Sequence, residues 1–298
     1  MQCRTGFVII LNINKRQDKV MSYRILIDSC GDLTPQMKAD PHIESIPLTL
    51  TVGEEDIIDD ESFDQAYFLK RVAECPTCPR SACPSPDTYL KACQDAERVY
   101  IVTLSSELSG SYNSAILAAR MLAEEHPGRK CHVFNSRSAS IGETLIALRV
   151  QELEAMGASF EEVVVGTEAY IEEQHTYFVL DTLESLRKNG RLSRLKAFVA
   201  TALHIKPIMG STPDGAIQQL DQTRGSNKAL KLMVAIATKD IRPGTIKRAA
   251  VSHCNCEERG RLVADMVKKQ LAIPEVILVP TAGVTSLYAC DGGVVLVI

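Results

Sequence analysis

Several residue types and patterns are scarce in this chain of 298 residues, and each absence argues against a class of function. Tryptophan is absent and aromatic residues make up only 5% of the sequence, which disfavours stacking platforms for bases or sugars. The formal net charge is -4 and no long basic block occurs, so we expect no nucleic-acid partner. No apolar run approaches the length that crosses a bilayer, so we expect no transmembrane segment.

Cysteine, in contrast, is frequent, with ten in the chain. The apolar run over residues 7–11 is too short for the core of a secretory signal, so we expect reduced thiols and a cytoplasmic location. Cys75 and Cys78, or Cys254 and Cys256, could contribute to a zinc site, but no suitable histidines accompany them. We therefore expect neither a metal nor a cofactor.

The most informative stretch is an apolar run, a serine-rich loop and a helical pattern in direct succession. Val99–Leu104 is typical of a buried strand, and the loop Ser105–Ser111 contains four serines and one glycine. Free N–H groups at the start of the following helix, together with its dipole, favour an anion, and hydroxyl groups add donors. The stretch therefore predicts a site for a carboxylate or a phosphate, with the alternative that the serines only cap the helix. The residues that we expect to contact the anion here are Ser105, Ser106, Ser109 and Gly110.

Strand and helix patterns alternate from Tyr23 to Met156, which predicts an α/β fold with a parallel sheet wrapped by helices on both faces. Polar residues follow three of these strands, at Asp28, Ser105 and Asn135, where ligands of such sheets bind. The segment Cys75–Pro86 is too rich in proline to be regular. The second half reads as an α+β unit, so we expect two domains, residues 21–165 and 166–298.

Several short motifs occur in a specific order along the chain: Ile27–Ser29, Ser81–Ser85, Leu104–Ser114, Leu180–Ser193, Ile205–Ile208 and Thr223–Gly225. In this order and spacing the chain resembles the DegV family of bacterial fatty-acid-binding proteins, over residues 24–298. The resemblance implies two α/β domains with a long acyl chain buried between them. It also implies that the loop at Ser106 and the hydroxyl of Ser81 hold the carboxylate.

The resemblance further implies a carrier without catalysis of its own, which presents a fatty acid to a separate fatty acid kinase that forms an acyl phosphate. Two more residues are candidates for contact with the ligand. Arg191 follows a predicted helix end and is a charge near the head group, a docking contact for a phosphate-carrying partner, or a solvated cation at that helix end. His253 ends a predicted strand and is either near the cleft or, the simpler interpretation, a buried histidine with its hydrogen bonds satisfied.

The chain departs from the family pattern in two places. The family usually has Thr-Ser-x-Pro-Ser where this chain has Ser81–Ser85, so the first hydroxyl is kept and the second is replaced by Ala82. Many members also carry Thr-His-x-Gly-Pro-Gly near the end, whose histidine approaches the head group. The corresponding region here, Thr285–Gly293, has no histidine.

Two other functions remain open from the sequence. The first is a serine-dependent acyl hydrolase with Ser106 or Ser109 as nucleophile, although the loop lacks the G-x-S-x-G elbow of such enzymes. The second is a binder of a small phosphorylated ligand at the same helix start.

We expect residues 1–20 to be an extension outside the fold and the native protein to begin at Met21, because Tyr23–Ile27 is the first pattern of a buried strand. The intact mass of the protein from its natural host tests this expectation. A mass that includes residues 1–20 would contradict it.

Overall fold

The computed structural model describes residues 21–94, 96–193 and 205–298, so the predicted extension lies outside the described residues. The strands of this part are β1 Met21–Asp28, β2 Ile43–Ile46, β3 Thr49–Val52, β4 Glu55–Ile58, β5 Arg80–Ala82, β6 Ala96–Thr103, β7 Lys130–Asn135, β8 Thr176–Val179, β9 Ile205–Ser211, β10 Ile217–Arg224, β11 Arg248–His253, β12 Glu275–Pro280 and β13 Val294–Val297. Its helices are α1 Pro35–Lys38, α2 Gln65–Glu74, α3 Pro86–Cys93, α4 Ser111–Glu125, α5 Ile141–Ala155, α6 Phe160–Glu173, α7 Glu184–Lys188, α8 Ser226–Thr238, α9 Glu257–Leu271 and α10 Gly283–Ala289. None of these helices has both the length and the apolar character needed to cross a bilayer.

The N-terminal part forms a four-stranded parallel sheet in the order β2-β1-β6-β7. Successive side chains of a strand point to opposite faces, and β1 follows this rule. Ile25 and Ile27 pack with α5 and α6, whereas Leu26 packs with α3 and α4 on the other face. Helices cover both faces of this sheet, which explains why its strands are nearly continuous apolar runs in the sequence.

A small antiparallel sheet has the order β4-β3-β5, and its strands come between β2 and β6 of the parallel sheet in the sequence. Ser81 of β5 pairs with Leu50 of β3, so the prediction of irregular structure throughout Cys75–Pro86 is wrong at Arg80–Ala82. Pro79 and Pro84 lie outside the three paired residues, and for that reason they remove no hydrogen bond from the ladder.

The C-terminal part forms a six-stranded mixed sheet in the order β10-β9-β8-β13-β11-β12, in which β11 and β12 are parallel and the other neighbours antiparallel. Val251 and Leu296 pack with α8 and α9 on one face. Ala250 and Val295 lie on the other face, in the same core as the start of α5. A helix-wrapped parallel sheet followed by an α+β unit confirms the predicted fold class.

Helix α5 connects the two sheets, because its side chains pack in the cores of both. Ile146 and Val150 pack against the parallel sheet, whereas Ile141 and Leu145 pack against the mixed sheet. Its first two turns, Ile141–Ala147, are buried throughout, whereas the polar residues of α5 other than Glu143 and Thr144 lie in its second half. The predicted domain boundary near residue 165 falls within α6, which packs on the parallel sheet, and the division into domains stays a prediction.

The hairpin between β9 and β10 contacts the carboxyl ends of the parallel strands. The carbonyl of Gly215 in its turn accepts a hydrogen bond of 2.8 Å from the hydroxyl of Ser105. Gly215 has a φ of +89°, a conformation that favours glycine. A Cβ atom at this position would lie 2.7 Å from the Cα of Arg137 and would also overlap the Ser105 hydroxyl. This contact between the two parts of the chain therefore requires glycine.

We expect Gly215→Ala to lower the free energy of unfolding by roughly 2–5 kcal/mol, because left-handed strain and overpacking add. Gly157→Ala is the matched control, since Gly157 has a φ of +77° and no atom within 4 Å of the added Cβ. The control should lose only about 1–2 kcal/mol, the cost of the conformation alone. Urea unfolding measures both values, and equal losses would contradict the proposed contact.

Candidate ligand-binding site

A cavity lies where the loops after the parallel strands meet the mixed sheet and α10, and the space between its walls, together with the open solvent at its mouth, is about 830 Å³. Most of its walls are apolar. The loops contribute Cys30, Leu104, Leu108 and Ala139, the mixed sheet contributes Phe178, Leu180, Ile217 and Val295, and α10 contributes Val284, Tyr288 and Ala289. Such walls suit an apolar ligand, because burial is favourable in proportion to the apolar area removed from water.

Ser81, Arg191 and Tyr288 meet in one part of the cavity wall, next to Leu108 and Ser109. The other polar residues of the lining are Arg137, Ser138, Ser140, Thr176, Ser211 and Thr285. The Ser81 hydroxyl lies 3.0 Å from the Tyr288 hydroxyl, and the Arg191 guanidinium lies 5.4 Å from the centre of the Tyr288 ring. A mostly apolar cavity with hydroxyls and a cation close together in its wall suits an amphipathic ligand.

Arg191 gives this part of the wall a positive charge. Its Nε donates a hydrogen bond of 3.0 Å to the carbonyl of Leu108, and one terminal nitrogen donates a bond of 2.7 Å to the carbonyl of Asn189. Both partners are uncharged, and no carboxylate pairs with Arg191 within residues 21–94, 96–193 and 205–298. A cation beside an apolar cavity attracts an anionic group more strongly than it would in bulk water.

The predicted serine loop divides its hydroxyls among different partners. Ser109 lines the cavity, and its Oγ accepts a hydrogen bond of 3.1 Å from the N–H of Ser111 at the start of α4. Ser105 is buried and donates to Gly215 in the hairpin instead of facing the cavity. The hydroxyls therefore do more than cap the helix, since only Ser109 serves the first turn of α4.

Ser106 and Gly110 lie in the same loop but are not among the residues that line the cavity. The Oγ of Ser106 accepts a hydrogen bond of 2.9 Å from the side chain of Asn135, whose carbonyl oxygen accepts one of 3.1 Å from the Ser106 N–H. Gly110 is the N-cap of α4 and, as a glycine, has no side chain that could cap the helix. A direct role of either residue in ligand binding stays a prediction.

His253 is buried at the end of β11, against the first turns of α9, and does not line the cavity. Its Nδ1 accepts a hydrogen bond of 3.4 Å from the N–H of Cys256, and burial lowers its pKa. The structure thus brings Ser81, Ser109 and Arg191 to the cavity and leaves His253 elsewhere. This placement matches the interpretation of a buried histidine whose ring is hydrogen-bonded.

Behind the cavity lies a group of buried carboxyls. Asp59 accepts hydrogen bonds of 2.7 and 2.8 Å from the N–H groups of Gly283 and Val284 in the first turn of α10. Asp32 accepts one of 2.6 Å from the N–H of Ala282, and Asp28 accepts one of 2.9 Å from the N–H of Leu104. Burial raises the pKa of Asp28, Asp32 and Asp59 to about 6 in each case, against the effect of these donors.

Glu143 is also buried and lies beside Asp28 and Cys30. A carboxyl oxygen of Glu143, a carboxyl oxygen of Asp28 and the Sγ of Cys30 lie within 4.8 Å of one another. Burial and the neighbouring Asp28 raise its pKa well above the usual value. This shift favours the neutral form of the Glu143 carboxyl over the charged form.

Sequence reasoning identified Ser81 and Arg191 but not Tyr288 or the helix that carries it. Helix α10 has seven residues. Its N-cap residue is Ala282, whose methyl side chain cannot accept a hydrogen bond from the first turn. The caps come instead from Asp32 and Asp59, which are more than 220 residues earlier in the chain. No local motif could therefore have indicated the start of this helix.

Comparison with known proteins places these features in a family. The sequence model of the DegV family, described as uncharacterised, matches residues 22–298. A DegV family protein from Ruminococcus gnavus, solved with vaccenic acid, superposes with a TM-score of 0.90 at 49% identity and covers 94% of this chain and 100% of its own. The B3 protein of fatty acid kinase from Streptococcus pneumoniae, loaded with linoleic acid, has a TM-score of 0.85 at 32% identity over 93% and 99% of the two chains. A DegV domain-containing protein from Streptococcus gordonii is 32% identical over 93% of this chain and 98% of its own.

The buried carboxyls predict an unusual dependence of stability on pH. Their pKa is about 6 in the folded protein and near 3.8 when unfolded, so the folded state binds more protons between these values. Their contribution to the free energy of unfolding therefore rises as the pH falls from 7 to 5, by about 1 kcal/mol per carboxyl. We expect Asp59→Asn to reduce this rise by about 1 kcal/mol in urea unfolding at the two pH values. An identical rise in the variant would show that Asp59 does not titrate near 6.

Proposed function

Since this chain belongs to the DegV family, we propose that it binds a long-chain fatty acid in the cavity and presents the carboxylate to a separate fatty acid kinase. The kinase would transfer a phosphoryl group to the carboxylate and form an acyl phosphate. The protein itself would act as a carrier without catalysis. A cytoplasmic location, where the kinase would meet the carrier, is part of this proposal.

One observation carries this proposal: the cavity combines mostly apolar walls with the guanidinium of Arg191, which pairs with no carboxylate in the described part of the chain, whereas the other arginine of the lining, Arg137, pairs with Glu172. A fatty acid has the matching distribution of an apolar chain and one negative charge. The fatty acids in the related structures from Ruminococcus gnavus and Streptococcus pneumoniae support the same ligand class.

The two parts of the ligand would make different contributions to binding. Burial of about fourteen methylenes yields roughly 11 kcal/mol before the costs of association, at ~0.8 kcal/mol per CH₂. A hydrogen bond to the charged carboxylate adds only about 1.5–3 kcal/mol. The apolar walls would therefore set the affinity, and the hydroxyls and the cation would set the orientation of the carboxylate. Orientation matters for a carrier, because the kinase must reach the carboxylate and not the chain.

The hydrolase alternative receives less support from the geometry. A serine nucleophile needs a base within hydrogen-bond reach, yet Ser106 is bonded to Asn135 and Ser109 to the first turn of α4. His253 does not line the cavity that Ser109 lines. We expect no covalent labelling by a fluorophosphonate probe, and labelling of Ser106 or Ser109 would favour the hydrolase.

A small phosphorylated ligand is also less well supported, because the cavity offers such a ligand mostly apolar contacts. Native mass spectrometry of protein purified from a bacterial host, followed by organic extraction, separates the two ligand classes. One fatty acid per chain is the expected result. A polar phosphorylated adduct, or an empty protein that also fails to bind added hexadecanoate, would contradict the proposal.

A variant that fills the cavity tests whether the ligand occupies it. Ala139 lines the cavity and is partly exposed, so Ala139→Phe should project a ring into the space for the chain. We expect the extracted fatty acid to fall at least roughly 10-fold, since the ring displaces several methylenes at ~0.8 kcal/mol each. Ala119→Phe is the matched control, because Ala119 is also partly exposed but lies on α4 outside the cavity lining. Equal fatty acid content in the two variants would argue against this cavity as the site.

A further inference from the structure

Tyr288 has no role in the expectations drawn from the sequence, yet it lies beside Ser81 and Arg191 in the cavity wall. We infer that its phenol hydroxyl binds the carboxylate of the ligand together with the hydroxyl of Ser81. This inference rests on the fatty-acid-binding function proposed above and names a residue that determines how the head group is held.

The hydrogen bonding of the two hydroxyls supports this role. They lie 3.0 Å apart, so one of them donates to the other. The proton of the accepting hydroxyl is not used within this pair and is available to a third group. A carboxylate only accepts hydrogen bonds, and it could accept one from each of the two hydroxyls. Its arrival would replace one neutral hydrogen bond by two charge-assisted bonds, which are about twice as strong.

The charge next to the phenol supports the same ligand. The Arg191 guanidinium lies 5.4 Å from the centre of the Tyr288 ring, within the range of a cation–π contact. This contact and the two carbonyl partners of Arg191 fix the guanidinium beside the phenol. Ser81, Tyr288 and Arg191 all line the cavity, so an anion that reaches the two hydroxyls also approaches the positive charge.

The position of the phenol is fixed through α10. Asp32 and Asp59 bind the N–H groups that precede and begin this helix, and the hydroxyl of Thr285 donates a bond of 3.1 Å to the carbonyl of Cys30. These bonds tie α10 to the loops after β1 and β4. Tyr288 is therefore held against Ser81 before a ligand enters, which lowers the cost of ordering the site. Burial also raises the pKa of the phenol, which keeps it protonated and able to donate at neutral pH.

The first test compares a charged ligand with an uncharged one of equal chain length. Wild-type protein, Tyr288→Phe and the control Tyr177→Phe are stripped of lipid and titrated with hexadecanoate and with hexadecan-1-ol. Tyr177 suits the control because it is partly buried on β8 but packs on the opposite face of the mixed sheet, outside the cavity lining. The free energy of unfolding of each variant verifies that the fold is retained.

We expect Tyr288→Phe to weaken hexadecanoate binding about 10-fold or more and to lower the preference for the acid over the alcohol roughly 5-fold or more. The control should keep the wild-type preference. An unchanged preference in Tyr288→Phe overturns the role of Tyr288, whereas a wild-type protein that binds neither ligand overturns the fatty-acid-binding function itself.

A second measurement reads the head group directly and does not depend on overall affinity. The pKa of [1-¹³C]hexadecanoate bound to each protein is obtained from its carboxyl NMR shift as a function of pH. A donor to the charged form lowers the pKa of a carboxyl, so the pKa of the bound ligand should rise by about one unit in Tyr288→Phe. A change that is merely structural and distant from the carboxylate would leave this pKa at the wild-type value, and that result overturns the inference.

Discussion

The carboxylates of Asp32 and Asp59 meet the N-terminal turn of α10 in the interior of the protein, and the ligand site depends on this contact. A buried carboxylate is costly without donors, and the first N–H groups of a helix have no partner within the helix. Here each satisfies the other, because Ala282, Gly283 and Val284 donate to the two aspartates. The bonds connect residues more than 220 positions apart, and they set a short helix of the C-terminal part into the N-terminal part. Without them the first N–H groups of α10 would lose their partners, and the bonds from Thr285 to Cys30 and from Gln65 to Ser286 would have to hold this wall of the cavity.

The cavity is a consequence of how the two sheets share α5. Because this helix is buried between them, the sheets approach each other near its N-terminus, where Ile141 and Leu145 pack against the mixed sheet. The loops after the parallel strands and the β9–β10 hairpin then surround the space that remains. Ser81, Arg191 and Tyr288 come from three separate segments and meet in one part of the wall around this space. Apolar walls and a charged side are thus produced by different parts of the chain.

Local patterns in the sequence were sufficient for the elements whose signals are local. The parallel strands are apolar runs that end in polar residues, and most helices carry periodic apolar positions, so the fold class followed from the sequence. The strand at Ser81 was missed because its stability comes from pairing with Leu50, about thirty residues earlier. The start of α10 was missed because its caps are distant, and Tyr288 was missed with it. Ser105 illustrates the same limit at the site, since its hydroxyl bonds Gly215, 110 residues away, and no rule of local spacing indicates that partner.

Phe178, Leu180 and Val295 line the cavity and at the same time belong to the apolar core between α5 and the mixed sheet. A bound chain would therefore complete this core, and in its absence these side chains lose dispersion contacts on one side. Any ligand that binds only the folded state stabilises it by RT ln(1 + [L]/Kd), so under the proposed function the stability of this protein would be coupled to the supply of fatty acid. In a cell that is short of fatty acid, the empty form would unfold more often and be degraded faster. The amount of carrier would then follow the amount of lipid, with no regulator other than the fold itself.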